Sequence, residues 1–220
     1  KIDISVFSDF PNLSIVFTDV YIEDSHPGNY PLLTAERISF NLNPIEVWKG
    51  RYDIRGLTVA DSETNLKINP AGKNNFNIIK ESKGEGGSVK FDLKEVQLTK
   101  TLVNYDDHQA NQHHKFSSEK LIASIFITGD LYQIEASGDA MTKQIGIDSA
   151  IFLANKSFII DTKLDYDDEK KEVFFKSSSL KISDSEFTIN GNYKFKTKNL
   201  ISLKAEGKDT DIQTLLSLKK

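Results

Sequence analysis

The chain contains no cysteine, which excludes disulfides, thiol nucleophiles and cysteine metal sites. That absence fits a bacterial periplasm and a cytoplasm equally. No window approaches the roughly 20 consecutive apolar residues of a membrane span. No basic cluster stands out either. The 28 Lys and Arg are scattered and outnumbered by 32 Asp and Glu, for a net charge of -4. A nucleic-acid partner needs a basic stripe, and strong electrostatic docking onto an anionic membrane needs the same. Catalytic signatures are missing as well. No nucleophile elbow surrounds a serine, and Gly72-Lys73-Asn74 lacks the flanking glycines and Ser/Thr of a phosphate loop. The paired carboxylates come with no fold cue that assigns acid and base roles. The expectation is a protein that is not an enzyme and uses no cofactor.

What the chain does have is a period of two. Val, Ile, Phe, Tyr and Thr alternate with polar residues almost everywhere. In the first third, short strands are expected at Leu13–Phe17 and Val20–Ile22, then at Leu32–Leu42, where Ile38, Phe40 and Leu42 share a face. Two more follow at Tyr52–Ala60 and Thr64–Ile68. Further on, Val89, Phe91 and Leu93 alternate with Lys and Asp. Leu121 to Thr128 is apolar at both parities, which predicts a strand covered on both faces. Phe158, Ile160, Thr162, Leu164 and Tyr166 form a long one-faced strand. The acidic turn Asp167-Asp168-Glu169-Lys170 leads into Val173–Lys176 as a hairpin. Leu180–Ile182, Phe187–Ile189, Tyr193 with Phe195, and Leu200–Ala205 continue the meander, with a turn expected at Asn190-Gly191. A hydrophobic content of 38% and this alternation suit burial from one side.

Helix is expected in three short places. Asn43 caps a turn with Pro44 at its first position, Glu46 reaching back and Gly50 ending it. Asn74 or Asn75 caps Phe76–Lys80. Thr210 and Gln213 form a capping box before Ile212, Leu215, Leu216 and Leu218, spaced for one helix face. Gly84-Glu85-Gly86-Gly87-Ser88 has the composition of a linker or long loop. It divides an N-terminal β-unit, 1–83, from an antiparallel meander, 89–220. The chain opens at Lys1, already in an alternating strand, and its last helical pattern has no stop signal. Both ends read as cuts in a longer protein, with any targeting or anchoring segment removed.

Two polar clusters invite chemistry. Asp106-Asp107-His108-Gln109-Ala110-Asn111-Gln112-His113-His114 offers zinc-type ligands, but nothing in the segment preforms a tetrahedron. A solvated hairpin loop accounts for it better. Asp165, Asp167, Asp168 and Glu169 suggest calcium, yet the glycine and glutamate of an EF-hand loop are absent. A charged hairpin tip that keeps a sheet soluble is the simpler account. His26 lies in the turn Ser25-His26-Pro27-Gly28-Asn29. No metal site is expected.

The order of signals in the first third resembles the N-terminal region of the AsmA-like proteins of Gram-negative bacteria. Phe10-Pro11 precedes Leu13–Phe17 and Thr18-Asp19-Val20. Leu33-Thr34-Ala35-Glu36-Arg37-Ile38 comes next, then the turn Asn43-Pro44-Ile45-Glu46-Val47-Trp48-Lys49-Gly50. Ile54-Arg55-Gly56-Leu57-Thr58-Val59 leads to Gly72-Lys73-Asn74-Asn75-Phe76, similar to the family's Gly-x-x-Asn-aromatic signature. Leu203 to Leu216 resembles the family's recurrent strand-then-helix segment. The family's N-terminal membrane helix is missing here.

The resemblance implies a periplasmic protein anchored in the inner membrane by that missing segment. Its fold would be an elongated, curved, antiparallel β-groove with a few short helices. Its function would be phospholipid transport between inner and outer membranes and maintenance of the outer membrane. Acyl chains would lie in the groove, with outer-membrane or periplasmic proteins as further partners and no nucleic acid. The residues expected to line the groove are Phe91, Leu93, Ile125, Ile127, Phe158, Ile160, Val173, Phe175, Phe187 and Ile189. The alternation alone favours an ordinary sheet packed on another sheet over a groove. A second functional class is a protein-interaction module that uses an open sheet edge. A third, a hydrolase, rests only on the histidine and acidic loops.

Overall fold

The computed structural model describes residues 2–5, 13–26, 31–51, 53–76, 90–183, 185–194, 200–208 and 210, with backbone alone at 2–5, 90–93 and 177. The strands are β1 (Ile2–Ser5), β2 (Leu13–Ile22), β3 (Leu33–Leu42), β4 (Asp53–Ile68), β5 (Lys90–Asp107) and β6 (Gln112–Thr128). They continue with β7 (Leu131–Ile147), β8 (Ala150–Phe152), β9 (Lys156–Asp167), β10 (Glu172–Ile182), β11 (Ser185–Lys194) and β12 (Leu200–Lys208). All belong to one 12-stranded sheet that follows chain order, with β8 set beside the end of β7. Among the described residues the ladder does not close: β12 pairs with β11 and β1 with β2. The fold is mainly β, and the helix among the described residues is α1 (Pro44–Trp48).

One join departs from the antiparallel expectation. β4 and β5 run parallel, from Asp53 beside Lys90 to Ile68 beside Asp107. Parallel neighbours need a crossover that returns the chain to its starting end, and residues 69–89 supply it. Through this join, strands on both sides of residues 84–88 share one sheet. Residues 84–88 themselves, like the helices expected over 77–80 and 211–218, lie outside the described residues.

The start of that crossover is clasped by Asn75, which is fully buried. Its backbone N–H donates to the Lys67 carbonyl at 3.0 Å, and the Lys67 N–H donates to its Oδ1 at 2.7 Å. Its Nδ2 donates to the Asn65 carbonyl at 2.9 Å and to Asp24 Oδ1 at 3.1 Å. Asp24, in the β2–β3 connection, also accepts from the His26 N–H at 2.9 Å and from Lys67 Nζ at 2.5 Å. The Asn75 side chain thus ties the end of β4 to the β2–β3 connection.

Several strands expected as pairs of short pieces are continuous. Leu13–Phe17 and Val20–Ile22 merge into β2, and the segments before and after Asp61 merge into β4. The break in alternation that suggested two strands is a single left-handed residue. Asp19, Asp61 and Lys100 have φ of 53°, 49° and 48°. They stand in one transverse row, between Thr18–Arg37–Ala60–Thr99 and Val20–Ala35–Ser62–Thr101. Such an irregularity re-aims the side chains that follow it. The apolar sequence changes parity there: Leu98 gives way to Val103 and Tyr105, and Val59 to Thr64, Leu66 and Ile68.

The expected turn at Asn190-Gly191 lies inside β11. Gly191 (φ 138°) brings the backbone so close to β12 that an added Cβ would stand 2.0 Å from the Ser202 carbonyl oxygen. Gly138 in β7 (φ 147°) does the same against Lys120, at 2.2 Å. These glycines mark close approach between strands.

Two tests follow from this architecture. Gly191→Ala should lower stability by more than about 1 kcal/mol, read as a reduced urea midpoint, because strain and clash act together. Asn75→Ala should cost about 1–3 kcal/mol through the buried donors and acceptors it orphans. Asp24 adds a pH signature. Burial alone would raise its pKa, but the bonds from Lys67, the His26 N–H and Asn75 outweigh burial and hold it below the usual carboxylate range. Its contribution is therefore complete above that range and lost as pH falls through the depressed folded value. Asp24→Asn should flatten the acid limb of a stability–pH curve.

Candidate functional site

The registers bring the expected lining residues of β6 to β11 onto one face. Ile127 lies in a row with Tyr132, Tyr166, Val173, Tyr193 and Ile201. Ile125 lies with Ile134, Leu164, Phe175, Gly191 and Leu203. Ile160 pairs with Leu180, and Leu180 with Phe187. Ile189 pairs with Ala205, and Phe158 with Ala140. Phe91 and Leu93 lie in β5, and their side chains are outside those described. The tyrosines, Ile134, Leu164, Leu180, Ile201 and Leu203 were not among the expected lining residues, although Leu164 and Tyr166 were expected on one face with Phe158 and Ile160. Extending the parity of Ile125 across consecutive hairpins was the signal that finds them.

This face is apolar but incompletely covered. Ile125, Ile160, Val173, Phe175, Phe187 and Ile189 are half-buried, and Ile127 is 48% exposed. Phe158 differs, being 7% exposed and already packed by protein. Only eight apolar side chains among the described residues are buried, several of them around β2 and β3 (Val16, Leu32, Ala35, Ile38, Leu42). The accessible surface of 14573 Å² exceeds the about 10,200 Å² expected of a compact protein of 24.8 kDa. Tyr132 and Tyr166 meet with ring centroids 5.6 Å apart, so the row that reaches Ile127 has an aromatic stretch.

The opposite face is polar with isolated apolar residues. Lys163 pairs with Glu135 at 2.9 Å and Lys176 with Asp165 at 2.6 Å. β6 is not covered on both sides as its sequence suggested, since Ile122 and Phe126 are exposed there. The apolar character of that parity comes from residues left in water, which alternation cannot distinguish from core. A cavity of about 530 Å³ lies beside Glu119, Asp139, Met141, Lys143, Ile159 and Lys181. Most of these residues belong to the polar face.

Neither polar cluster assembles a reactive centre. His113 Nδ1 lies 2.8 Å from Asp106 Oδ1. His114, its neighbour along β6, points to the other face, stacked on Tyr105 at 5.6 Å between centroids. Burial lowers the His114 pKa. It also pushes the Tyr105 phenol up to about 12, assisted by Asp107. At the β9–β10 turn each carboxylate already has a partner: Asp167 takes Lys170, and Asp168 takes Lys171 and the Tyr166 hydroxyl. Among the described residues no group of His, Asp and Glu is placed to hold a metal ion. Compared with known protein families and with curated proteins, the chain matches no family model and no curated relative.

Truncations separate core from open lining. Phe158→Ala should cost about 3–5 kcal/mol. Ile127→Ala, at a half-exposed position, should cost less than about 1 kcal/mol. Urea denaturation of both variants checks the contrast.

Proposed function

We propose that this chain is a lipid-carrying β-groove protein of the kind the AsmA resemblance implies. It would work without bond chemistry, in the periplasm, as part of a protein anchored to the inner membrane. The carrying observation is the apolar face of β6 to β12, whose Ile, Val, Phe and Tyr side chains are aligned by register yet remain half-exposed. A permanent second layer would bury such a face fully. An acyl chain laid on it gains about 0.8 kcal/mol per buried methylene, while the head group stays in water. Phospholipid acyl chains are the ligand class, and movement of phospholipid between the two membranes is the role.

A second reading is favoured by β12, all of whose residues are exposed and which has one sheet neighbour among the described residues. Such an edge is suited to adding a strand from a partner protein.

Native mass spectrometry of the purified chain, with lipid extraction in parallel, separates the two. Bound phospholipid in defined stoichiometry is the expected result, lost in Ile125→Asp and Ile160→Asp while circular dichroism stays native-like. A protein that folds and stays lipid-free after incubation with phospholipid vesicles would sink the carrier reading and leave the edge reading in place.

A further inference from the structure

The connection between β3 and β4 holds the short capped helix α1, none of whose residues is buried. Asn43 caps α1, its Oδ1 accepting from the N–H groups of Ile45 at 2.9 Å and Glu46 at 3.4 Å. Pro44 sets the first helical residue, and Gly50, with φ 76° and open space around it, ends the turn. Glu46 is held by Lys49 at 3.1 Å and by Arg51. With its backbone bonds closed and its carboxylate paired, this turn has every means to tuck its apolar residues inward. It does the opposite: Trp48 is 93% exposed and Ile45 63%.

We propose that this tip is a membrane-contact site, with Trp48 and Ile45 inserting into the interfacial region of a phospholipid bilayer. Trp prefers that depth because its ring is apolar and its N–H stays near water. Lys49 and Arg51 flank it with side chains more than half exposed, long enough to reach phosphates from an inserted position. Pairing with Glu46 removes the uncompensated carboxylate that would oppose entry. A protein partner fits less well. Two exposed apolar side chains on a five-residue helix offer far less than the ~800 Å² per side of a stable protein interface, whereas a bilayer needs no complementary pocket. The chain's scattered charge rules out attachment by charge alone, so insertion of apolar surface carries the contact. The proposal goes beyond the carrier reading and stands or falls separately from it.

Trp48 is the single tryptophan of the chain, so its fluorescence reports this one position. Titrating the chain with phosphatidylcholine vesicles, with and without phosphatidylglycerol, should shift its emission to the blue. Vesicles with brominated acyl chains should quench it. In co-sedimentation, Ile45→Ala combined with Trp48→Ala should bind vesicles about tenfold more weakly or worse. Lys49→Gln with Arg51→Gln should abolish any preference for phosphatidylglycerol. Emission that stays water-like at all lipid concentrations overturns the proposal. So does undiminished vesicle binding by the Ile45/Trp48 variant. Lipid retention by the groove variants is a different readout, so failure of one reading does not imply failure of the other.

Discussion

One constraint governs this molecule: its backbone is satisfied sideways, in a single open ladder, and its side chains must find cover above and below. Sequential pairing from β1 to β12 settles the hydrogen bonds of the strands without any sheet folding back to meet another. What the ladder cannot supply is a second layer. Near β2 and β3 both faces are covered, with Ser14, Val16 and Ser39 buried on one side and Ile38 and Leu42 on the other. Beyond β4 coverage is patchy: no residue of β6 is buried, Phe158, Ile182 and Ser185 are, and every residue of β12 is exposed.

The parallel join is what lets the two regions share that ladder. Keeping one direction in β4 and β5 requires the chain to leave the sheet after Ile68 and re-enter it at Lys90, beside the start of β4. The exit is the weak point of such a topology, because loop backbone must be satisfied away from the strands. Asn75 answers this by accepting from the Lys67 N–H and donating to the Asn65 carbonyl, both at the end of β4, while its amide also reaches Asp24. Asp24 and Lys67, both nearly withdrawn from water, neutralise one another in the same clasp. A buried ion pair costs desolvation and stabilises only when its remaining hydrogen bonds are met; here the Asn75 amide and the His26 N–H help to meet those of Asp24. The Gly-x-x-Asn-aromatic segment that carries the family resemblance therefore has a structural task in this chain.

Much of the fold was legible because a period of two is a strong signal wherever one face is apolar. The long strand β9, the hairpin turn after it and the capped turn at Pro44 could be read from residues alone, whereas β10 and β11 were expected as shorter pieces. Three things could not. The left-handed residues Asp19, Asp61 and Lys100 shift the parity of the apolar side chains without ending a strand, so a continuous strand looked like two. Gly191 looked like a turn because glycine serves both turns and close backbone approach, and sequence does not say which. Glu46, expected to reach back to the cap, turns instead to Lys49 and Arg51, since two nearby cations outcompete one backbone N–H. The lining residues were legible as a parity but not as a site. Ile127 and Phe158 share a face, yet differ about sevenfold in exposure, and only packing decides that.

Exposure of apolar surface is the thread that joins the proposed carrier face and the proposed tip, and the two differ in kind. Along β6 to β12 the exposure is distributed: many side chains each give up part of their burial, in rows matched by register. That arrangement suits a long, flexible, apolar ligand, because gain accumulates per methylene and no single contact must be ideal. At α1 it is concentrated in two side chains on a turn whose own bonds are complete, which suits shallow insertion into a surface. A protein that accepts lipid must also approach the membrane that holds it. Those two tasks require opposite geometries, an extended face and a projecting point. Residues of the capped β3–β4 turn can serve the second without disturbing the register on which the first depends.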